Sequence, residues 1–535
     1  MWINYLLAAL TGVLYIVSCA PIDQFYLMWF AFIPLFFAIR RTPKASRSHW
    51  RLFRLGLTSA FFMGATGYYW LIHATQNYGG IPLPVSIIIY IAFCFTNQLQ
   101  VPLYVLLRER LRASTLLKQH VILCAFVLGV CYVGLDSFVP KIFSDTVGSA
   151  FYHSSWVRQL ADIGGPMLIT FFGITINEIL FQAIADKKLK LMIAPLVLAI
   201  LICGYGIYRN DEYRKLKTAH STDPVFRASL IQGNIGDFMK VAAEHGEQNA
   251  VTNVMGEYLR LSEEALKAPN PPDALIWPET AYPAIYSRPF TDIEARMQSM
   301  LDGLLKVTHG YIIFGGYDND IRGREYNSIF FLKSGNPIQK DVYHKSTLLM
   351  FGETLPFSEE FPAMKSYFPT MGFFGRGSGP EVDVVKNAKG DSFKLAPSIC
   401  YEGLFTDFAV EGALLGADAL LNVTNDSWFG EHGEPYQHLS LTRFRSIETR
   451  LPMIRATNTG LTVWIDPTGE QIKSTEISKS EILETEIQHR FFPDSPYMTV
   501  AKVFGPNWFV RLFQLLTIGA FFCFGYRKRK SRVRD

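Results

Sequence analysis

The run Ala396-Pro397-Ser398-Ile399-Cys400-Tyr401-Glu402 places a thiol and then a carboxylate directly behind a short apolar stretch. A stretch of that length, punctuated by polar residues and Pro, reads as a buried β-strand that ends in reactive groups. The pattern recurs on either side of it. Ala274-Leu275-Ile276-Trp277-Pro278-Glu279 ends in a carboxylate, and Leu420-Leu421-Asn422-Val423-Thr424-Asn425-Asp426 ends in an amide and an acid. Open α/β sheets bind ligands at the carboxyl ends of their strands, so these groups are expected to converge. Further strand-length apolar runs lie at 228–232, 311–314, 328–332 and 461–465, with helix-periodic stretches at 248–266 and 293–307. Together they predict an α/β domain over about 224–489. Asp466-Pro467-Thr468-Gly469 predicts a turn between two strands.

Outside that domain the composition changes character. The 535 residues are 49% hydrophobic and only 18% charged, where soluble domains carry about a quarter charged residues. A large part of the chain is therefore expected to meet lipid. Apolar runs at 3–19, 24–39, 55–74, 82–107, 119–139, 160–185, 190–208 and 507–526 predict about eight membrane spans. Basic residues crowd alternate connections: Arg40, Arg41, Lys44, Arg47, Arg51 and Arg54, then Arg108, Arg110, Arg112 and Lys118, then Lys187, Lys188 and Lys190. The tail adds Arg527, Lys528, Arg529, Lys530, Arg532 and Arg534. The positive-inside rule puts all of these on the cytoplasmic side. The expected organisation is seven spans over 1–209, an extracytoplasmic domain over 210–505, and a last span with a basic cytoplasmic tail over 506–535. The net charge of +4 is too small to suggest a nucleic-acid partner. Glu178 is a rare ionisable residue within the spans, and a solute pathway would need more intramembrane polarity than this.

Six of the seven cysteines fall in the apolar runs, leaving Cys400 alone in the domain between them. No CxxC pair and no Cys/His cluster has zinc-site spacing, so neither a disulfide scaffold nor a metal is expected. A thiol that acts as a nucleophile needs a base, and the acyl group it attacks needs a cation or N–H donors for its oxyanion. Glu279 and Lys345, the latter in Tyr343-His344-Lys345, can supply those two functions. His344, His432 and His438 lie near the motifs and raise a rival Cys–His arrangement. His438 is expected instead to support the 425–430 loop by hydrogen bonding.

Trp277-Pro278-Glu279, Lys345 and Cys400-Tyr401-Glu402 resemble the Glu–Lys–Cys triad of the carbon–nitrogen hydrolase (nitrilase) superfamily. The membrane flanks narrow the resemblance to its apolipoprotein N-acyltransferase family. Gly67-Tyr68-Tyr69-Trp70-Leu71, Gly79-Gly80-Ile81-Pro82-Leu83-Pro84, Gln232-Gly233-Asn234-Ile235 and Phe351-Gly352-Glu353-Thr354-Leu355-Pro356-Phe357 are similar to it as well. So are Asn425-Asp426-Ser427-Trp428-Phe429-Gly430 and Arg455-Ala456-Thr457-Asn458-Thr459-Gly460. Val241 stands where that family commonly has a Trp, and 346–350 departs from its usual loop.

The resemblance implies an αββα sandwich beside a polytopic helical membrane domain. It further implies a monomer in a bacterial inner membrane with its domain on the periplasmic side, needing no cofactor. The implied reaction moves an acyl chain from a phospholipid to the N-terminal amine of a diacylglyceryl-cysteine lipoprotein, through a thioester on Cys400. Glu279 would be the base and Lys345 the oxyanion partner, with Glu353, Tyr401 and Glu402 in support. A membrane-tethered amidase or nitrilase would share the triad, with water in place of the amine. The apolar loop at 361–374, with Met364, Tyr367, Phe368, Met371 and Phe373, suggests either a lid that dips into the interface or packing against the domain core.

Overall fold

Runs of β-branched and aromatic residues too short for a helix and buried on both faces have one economical solution, a strand covered by layers above and below. A computed structural model shows how the chain arranges them. It describes residues 2–43, 45, 47–77, 79–286, 291–350, 352–355, 361 and 373–525, excepting the side chains of 237–238 and 336–340. The chain divides into a helical unit, Met1–Tyr69, Ile87–Tyr208 and Asn507–Asp535, and a sandwich unit, Trp70–Ser86 and Arg209–Pro506.

The strands of the sandwich unit are β1 (Val225–Gln232), β2 (Ala274–Ile276), β3 (Tyr311–Asn319), β4 (Glu325–Lys333), β5 (Asn336–His344), β6 (Asp383–Lys386), β7 (Ser392–Ile399), β8 (Ala419–Thr424), β9 (Met453–Thr457), β10 (Val463–Ile465), β11 (Gln471–Ser474) and β12 (Glu481–Gln488). They form two six-stranded sheets, ordered β12-β1-β2-β3-β4-β5 and β11-β10-β9-β8-β7-β6. Each sheet has three parallel strands at its heart, β1, β2 and β3 in one and β7, β8 and β9 in the other, with antiparallel strands outside. Ile276, Ile313 and Leu230 from the first sheet share one buried cluster with Leu395, Ile399, Leu421 and Ile454 from the second, so the sheets pack face to face. On the outer face of the first, helices Gln248–Leu266 and Asp292–Val307 bury Val254, Tyr258, Leu301 and Leu304 against Leu275, Trp277 and Phe314. Trp277 is fully buried, and its indole N–H donates to Ser262 Oγ at 2.9 Å. Helices Thr406–Leu414 and Glu434–Thr449 belong to the second sheet's side, completing the αββα layering that the resemblance implies.

Five strands, β5, β6, β9, β11 and β12, were not among the apolar runs. β12 reads Glu-Ile-Leu-Glu-Thr-Glu-Ile-Gln, whose charges alternate to solvent along an edge strand while Leu483, Thr485 and Ile487 point inward. β9 carries an arginine yet is buried at every position.

Among the described residues, Leu83–Leu111, Val121–Phe138, Val157–Ala185, Leu189–Ala219 and Trp508–Gly525 are the five helices long and apolar enough to cross a membrane; Trp2–Val17 is apolar but shorter. The protein is therefore a multi-pass membrane protein. The run expected at 24–39 is instead a single 3₁₀ turn, Phe25–Trp29, followed by a helix of nine residues, Ile33–Arg41. At 1.5 Å per residue such a helix reaches about 13 Å, under half the hydrocarbon core. The run expected at 55–74 is helical over His49–Gly67, and a separate short helix, Trp70–Asn77, belongs to the sandwich unit.

The basic connections meet at one end of the helical unit. Arg40 pairs with Asp186 at 2.6 Å and Arg47 with Glu109 at 2.8 Å, while Arg110 Nε donates to the carbonyl of Gly525 at 2.6 Å. Glu178 also lies among these groups: both its oxygens bond Arg108, whose Nη2 is 2.9 Å from Oε2, and Tyr104 donates to Oε1 at 2.9 Å. Arg108 stacks on Phe36 at 4.3 Å. A buried carboxylate so fully engaged is a neutralised structural pair and offers a solute no open acceptor.

Candidate active site

Five non-glycine residues described in the sandwich unit have positive φ, and two of them lie at the candidate site. Cys400 follows β7 with φ +48°, and Thr280, one residue past Glu279, has φ +49°. For a residue with a Cβ this left-handed conformation costs about 1–2 kcal/mol, so it persists where surrounding contacts enforce it. At Glu279 the enforcement is visible. Gly315 of β3 lies so close that an added Cβ would sit 2.6 Å from Glu279 Cα and from the Pro278 carbonyl oxygen. The turn is also held from the far side, where the buried Lys240 donates to the Glu279 carbonyl at 3.0 Å and to Thr280 Oγ1 at 2.6 Å.

Glu279, Lys345 and Glu353 come together as two carboxylates around one buried ammonium. Lys345 Nζ is 2.7 Å from Glu353 Oε1 and 3.4 Å from Glu279 Oε1. Asn327 Nδ2 donates to both, at 2.8 Å to Glu279 and 3.2 Å to Glu353. The other oxygens are satisfied separately: Glu279 Oε2 accepts from the Asn425 N–H at 2.9 Å, and Glu353 Oε2 from the Leu349 N–H at 2.8 Å. Burial disfavours the Lys345 charge, but Glu353 and then Glu279 outweigh it and hold the ammonium well above the ordinary lysine range.

Cys400 is 9% exposed and belongs electrostatically to the same group. Burial first, and then the Glu279 carboxylate, push its thiol well above the ordinary range, while Lys345 pulls the other way. The resting group is a thiol, and it needs a base at the moment of attack. Glu402 binds the two halves of the site together. Its Oε1 accepts from Ser346 N (2.7 Å), Ser346 Oγ (3.0 Å) and Thr347 N (2.9 Å), and its Oε2 from Tyr343 Oη (2.7 Å) and Ile399 N (2.8 Å). A carboxylate with this many donors is a clamp between the Lys345 loop and the Cys400 turn, with no free lone pair for proton transfer. Tyr401 packs edge-on against Phe405 at 4.8 Å.

Residues 227–491 match the carbon–nitrogen hydrolase family, and residues 11–179 match the apolipoprotein N-acyltransferase N-terminal domain. The chain is 32% identical to the apolipoprotein N-acyltransferase of Bdellovibrio bacteriovorus over 88% of its own length and 85% of that protein's. The chain belongs to the apolipoprotein N-acyltransferase family. The enzyme of that name from Geobacter metallireducens is 29% identical over 91% of this chain and 89% of that one. The Haemophilus influenzae enzyme is 27% identical over 94% and 92%. Among solved structures, the Saccharomyces cerevisiae Nit3 crystal structure aligns with a TM-score of 0.36 and 15% identity, covering 52% of this chain and 94% of that one.

The protein is thus a membrane-bound enzyme, and the stretch that matches the carbon–nitrogen hydrolase family lies in the sandwich unit. All six residues singled out from the sequence, Glu279, Lys345, Cys400, Glu353, Tyr401 and Glu402, lie in that unit. Sequence reasoning missed Asn327 and Lys240. Asn327 falls one residue before the apolar run 328–332 and left no signal, and Lys240 left none either, since a lysine on a short amphipathic helix reads as solvated. Val241, next to it on that helix, is half-buried. Two of the three histidines raised for a Cys–His arrangement are engaged elsewhere: His438 Nε2 meets the Cys400 carbonyl oxygen at 3.3 Å, and His344 faces Asp318 at 2.9 Å. His438 does bond Asp426 of the 425–430 loop, at 3.1 Å. Asp426, Glu434 and His438 bring three metal-type ligands within 4.8 Å of one another. Arg455 Nη2 already fills that space, 2.9 Å from Asp426 Oδ2 and 3.2 Å from His438 Nδ1, and its charge opposes a cation there.

Trp70, in the motif expected within a span, contacts the same loop. Its indole donates to Gln437 Oε1 at 3.0 Å, and its ring meets Phe429 edge-on at 5.5 Å. Of the proposed lid, residues 362–372 lie outside the described residues; Phe361 is exposed, and Phe374 stacks on Tyr317 at 5.7 Å.

Proposed function

We propose that Cys400 carries a fatty-acyl thioester between a phospholipid donor and the N-terminal amine of a diacylglyceryl-cysteine lipoprotein. The observation that carries this reading is the joint placement of one protonated, buried thiol with Glu279 and Lys345 as the charged groups acting on it. Glu279 removes the proton as sulfur attacks the ester carbonyl, and the oxyanion forms against the Lys345 ammonium and the Tyr401 N–H. Collapse expels the lysophospholipid alkoxide, which takes the proton back from Glu279. The amine then attacks the thioester, Glu279 accepts its proton, and the departing sulfur is reprotonated, leaving an amide and the free thiol. Glu353 fixes and charges Lys345, and Glu402 holds the Lys345 loop to the nucleophile turn.

The topology in this reading places 210–505 on the outer face of a bacterial inner membrane, with the active protein a monomer. The gathering of the basic connections at one end of the helical unit supports that orientation. Both substrates are lipid-anchored, so a site at the membrane surface meets them at high effective concentration.

Intact-mass measurement after mixing with phospholipid tests the reading. The wild type should gain one fatty-acyl mass, Cys400→Ala should gain none, and a diacylglyceryl-cysteine peptide should discharge the adduct as an N-acyl product. Absence of the adduct refutes the thioester, and discharge as free fatty acid despite the peptide would make the enzyme a hydrolase.

A further inference from the structure

The peptide joining Cys400 to Tyr401 is one rigid unit. In a trans peptide the C=O and the following N–H point in opposite directions, so a restraint on one aims the other. Two buried donors restrain the Cys400 carbonyl: His438 Nε2 at 3.3 Å, from helix Glu434–Thr449, and Asn422 Nδ2 at 3.4 Å, from β8. His438 is 5% exposed and Asn422 fully buried.

Both donors are themselves oriented by one guanidinium. Arg455 Nη1 donates to Asn422 Oδ1 at 3.1 Å, which fixes that amide with its Nδ2 between the Cys400 carbonyl and Ser398, whose Oγ accepts at 3.1 Å. Arg455 Nη2 donates to Asp426 Oδ2 at 2.9 Å, and Asp426 Oδ1 lies 3.1 Å from His438 Nδ1. Glu434 Oε1 faces the same ring nitrogen at 3.4 Å. The bond to the carbonyl requires the proton on His438 Nε2, in the neutral tautomer and in the imidazolium alike. There is no slack in the assembly: a Cβ at Gly460 would lie 2.2 Å from Asp426 Oδ2, and one at Gly403 would lie 2.9 Å from Asn422 Nδ2. An isolated Cys in the left-handed region would relax, and this lattice stops it.

We propose that His438 and Asn422, tied by Arg455, are positioning residues for the oxyanion site. They pin the Cys400 carbonyl so that the Tyr401 N–H on the same peptide stays aimed at the developing negative charge. The role gives a function to the 425–430 and 455–460 motifs, whose side chains do not reach the thiol through any described hydrogen bond. It rests on the reading of Cys400 as the acylated nucleophile.

Two reactions of the same thiol separate this role from general support of the fold. Acyl transfer from phosphatidylethanolamine passes through an oxyanion, whereas alkylation by iodoacetamide is a displacement at carbon that forms none. In the full-length protein, His438→Leu should slow single-turnover acylation on the order of 10- to 100-fold, short of the full loss of a direct oxyanion donor. Its dependence on lipid concentration should be unchanged and its alkylation rate within about twofold of wild type. His438→Gln, whose Nε2 can reach the same carbonyl, should recover most of the acylation rate. If the Leu variant does not fold, His438→Asn, polar but too short to reach, takes its place with the same expectation. Unchanged acylation, or alkylation that falls in parallel with acylation, overturns the positioning role while a wild-type adduct leaves Cys400 standing. No adduct on alkylatable wild-type protein overturns both.

Discussion

Replacing Glu353 with Gln isolates the part of the site that keeps Lys345 charged. The carboxylate spans two partners, with Oε1 2.7 Å from Lys345 Nζ and Oε2 2.8 Å from the Leu349 N–H. A glutamine carbonyl can accept from one of them only, and its NH₂ must then face a donor on the other side. The change loses a charge-assisted hydrogen bond and leaves one buried donor unpaired, together about 2–4 kcal/mol, or roughly 30- to 1,000-fold if the transition state bears it. The pH dependence makes the test specific. Burial opposes the ammonium, and Glu353 is the larger of the two carboxylate contributions that counter it. Its removal should lower the Lys345 pKa, since less negative charge then opposes the effect of burial. In the proposed mechanism oxyanion stabilisation requires the protonated form, so the alkaline limb of the acylation rate should move to lower pH while Glu279 is left in place as the proposed base. Single-turnover acylation of Cys400, followed by intact mass from pH 6 to 10, measures both effects. A variant that acylates at the wild-type rate with an unmoved alkaline limb would show Glu353 to be a bystander ion pair.

Two further outcomes follow from packing and linkage. Asp383 on β6 is buried and, beside Glu381 and Asp341, has its carboxyl pushed from 3.8 up to about 7. The native state then binds the extra proton between those values, so stability falls as pH rises through them, and Asp383→Asn should flatten the profile and stabilise the protein at pH 8 by up to about 4 kcal/mol; thermal melts at pH 5 and 8 that keep the wild-type slope would refute it. Gly315→Ala puts a Cβ 2.6 Å from Glu279 Cα and should cut acylation at least about 100-fold by displacing the base, for an overpacking cost of about 1–3 kcal/mol; an active, normally acylated variant would mean that the Glu279 turn tolerates movement.

How far the sequence reveals this molecule depends on how local each cause is. The strand before Cys400 was legible because four apolar or small residues and a Pro declare burial without reference to anything distant, and β2 and β8 follow the same logic. β9 was not, because Arg455 in its centre argues against burial unless one knows that Asp426 and Asn422 await it from other elements. Lys240 and Asn327 fail for the same reason: a polar residue becomes interior only through partners supplied by the fold. Lys345 became a candidate because a thiol demands a cation nearby, yet composition alone could not have chosen it over any other lysine, and the resemblance did. The spans show the converse error. Hydropathy over 24–39 suffices for a span, but Pro34 opens a new helix there, and the chain spends those residues on two short elements instead of one long one.

The thiol's raised pKa bears on why the site is built from so many distant pieces. A cysteine kept as a ready thiolate is quick to attack, and equally quick to be oxidised or to exchange with disulfides. Cys400 is held protonated by burial and by the neighbouring Glu279 carboxylate, so in the proposed mechanism its reactivity is withheld until an ester lies against the thiol. The arrangement demands that nothing in the site reorganise when the proton moves. Two carboxylates around one ammonium would otherwise repel, and Asn327, the Asn425 N–H and the Leu349 N–H each take up one of the remaining lone pairs. Those donors come from β4, from the turn after β8 and from the loop after Lys345. Only the folded sandwich presents them together, so the roles proposed for Glu279, Lys345 and Cys400 depend on the whole unit.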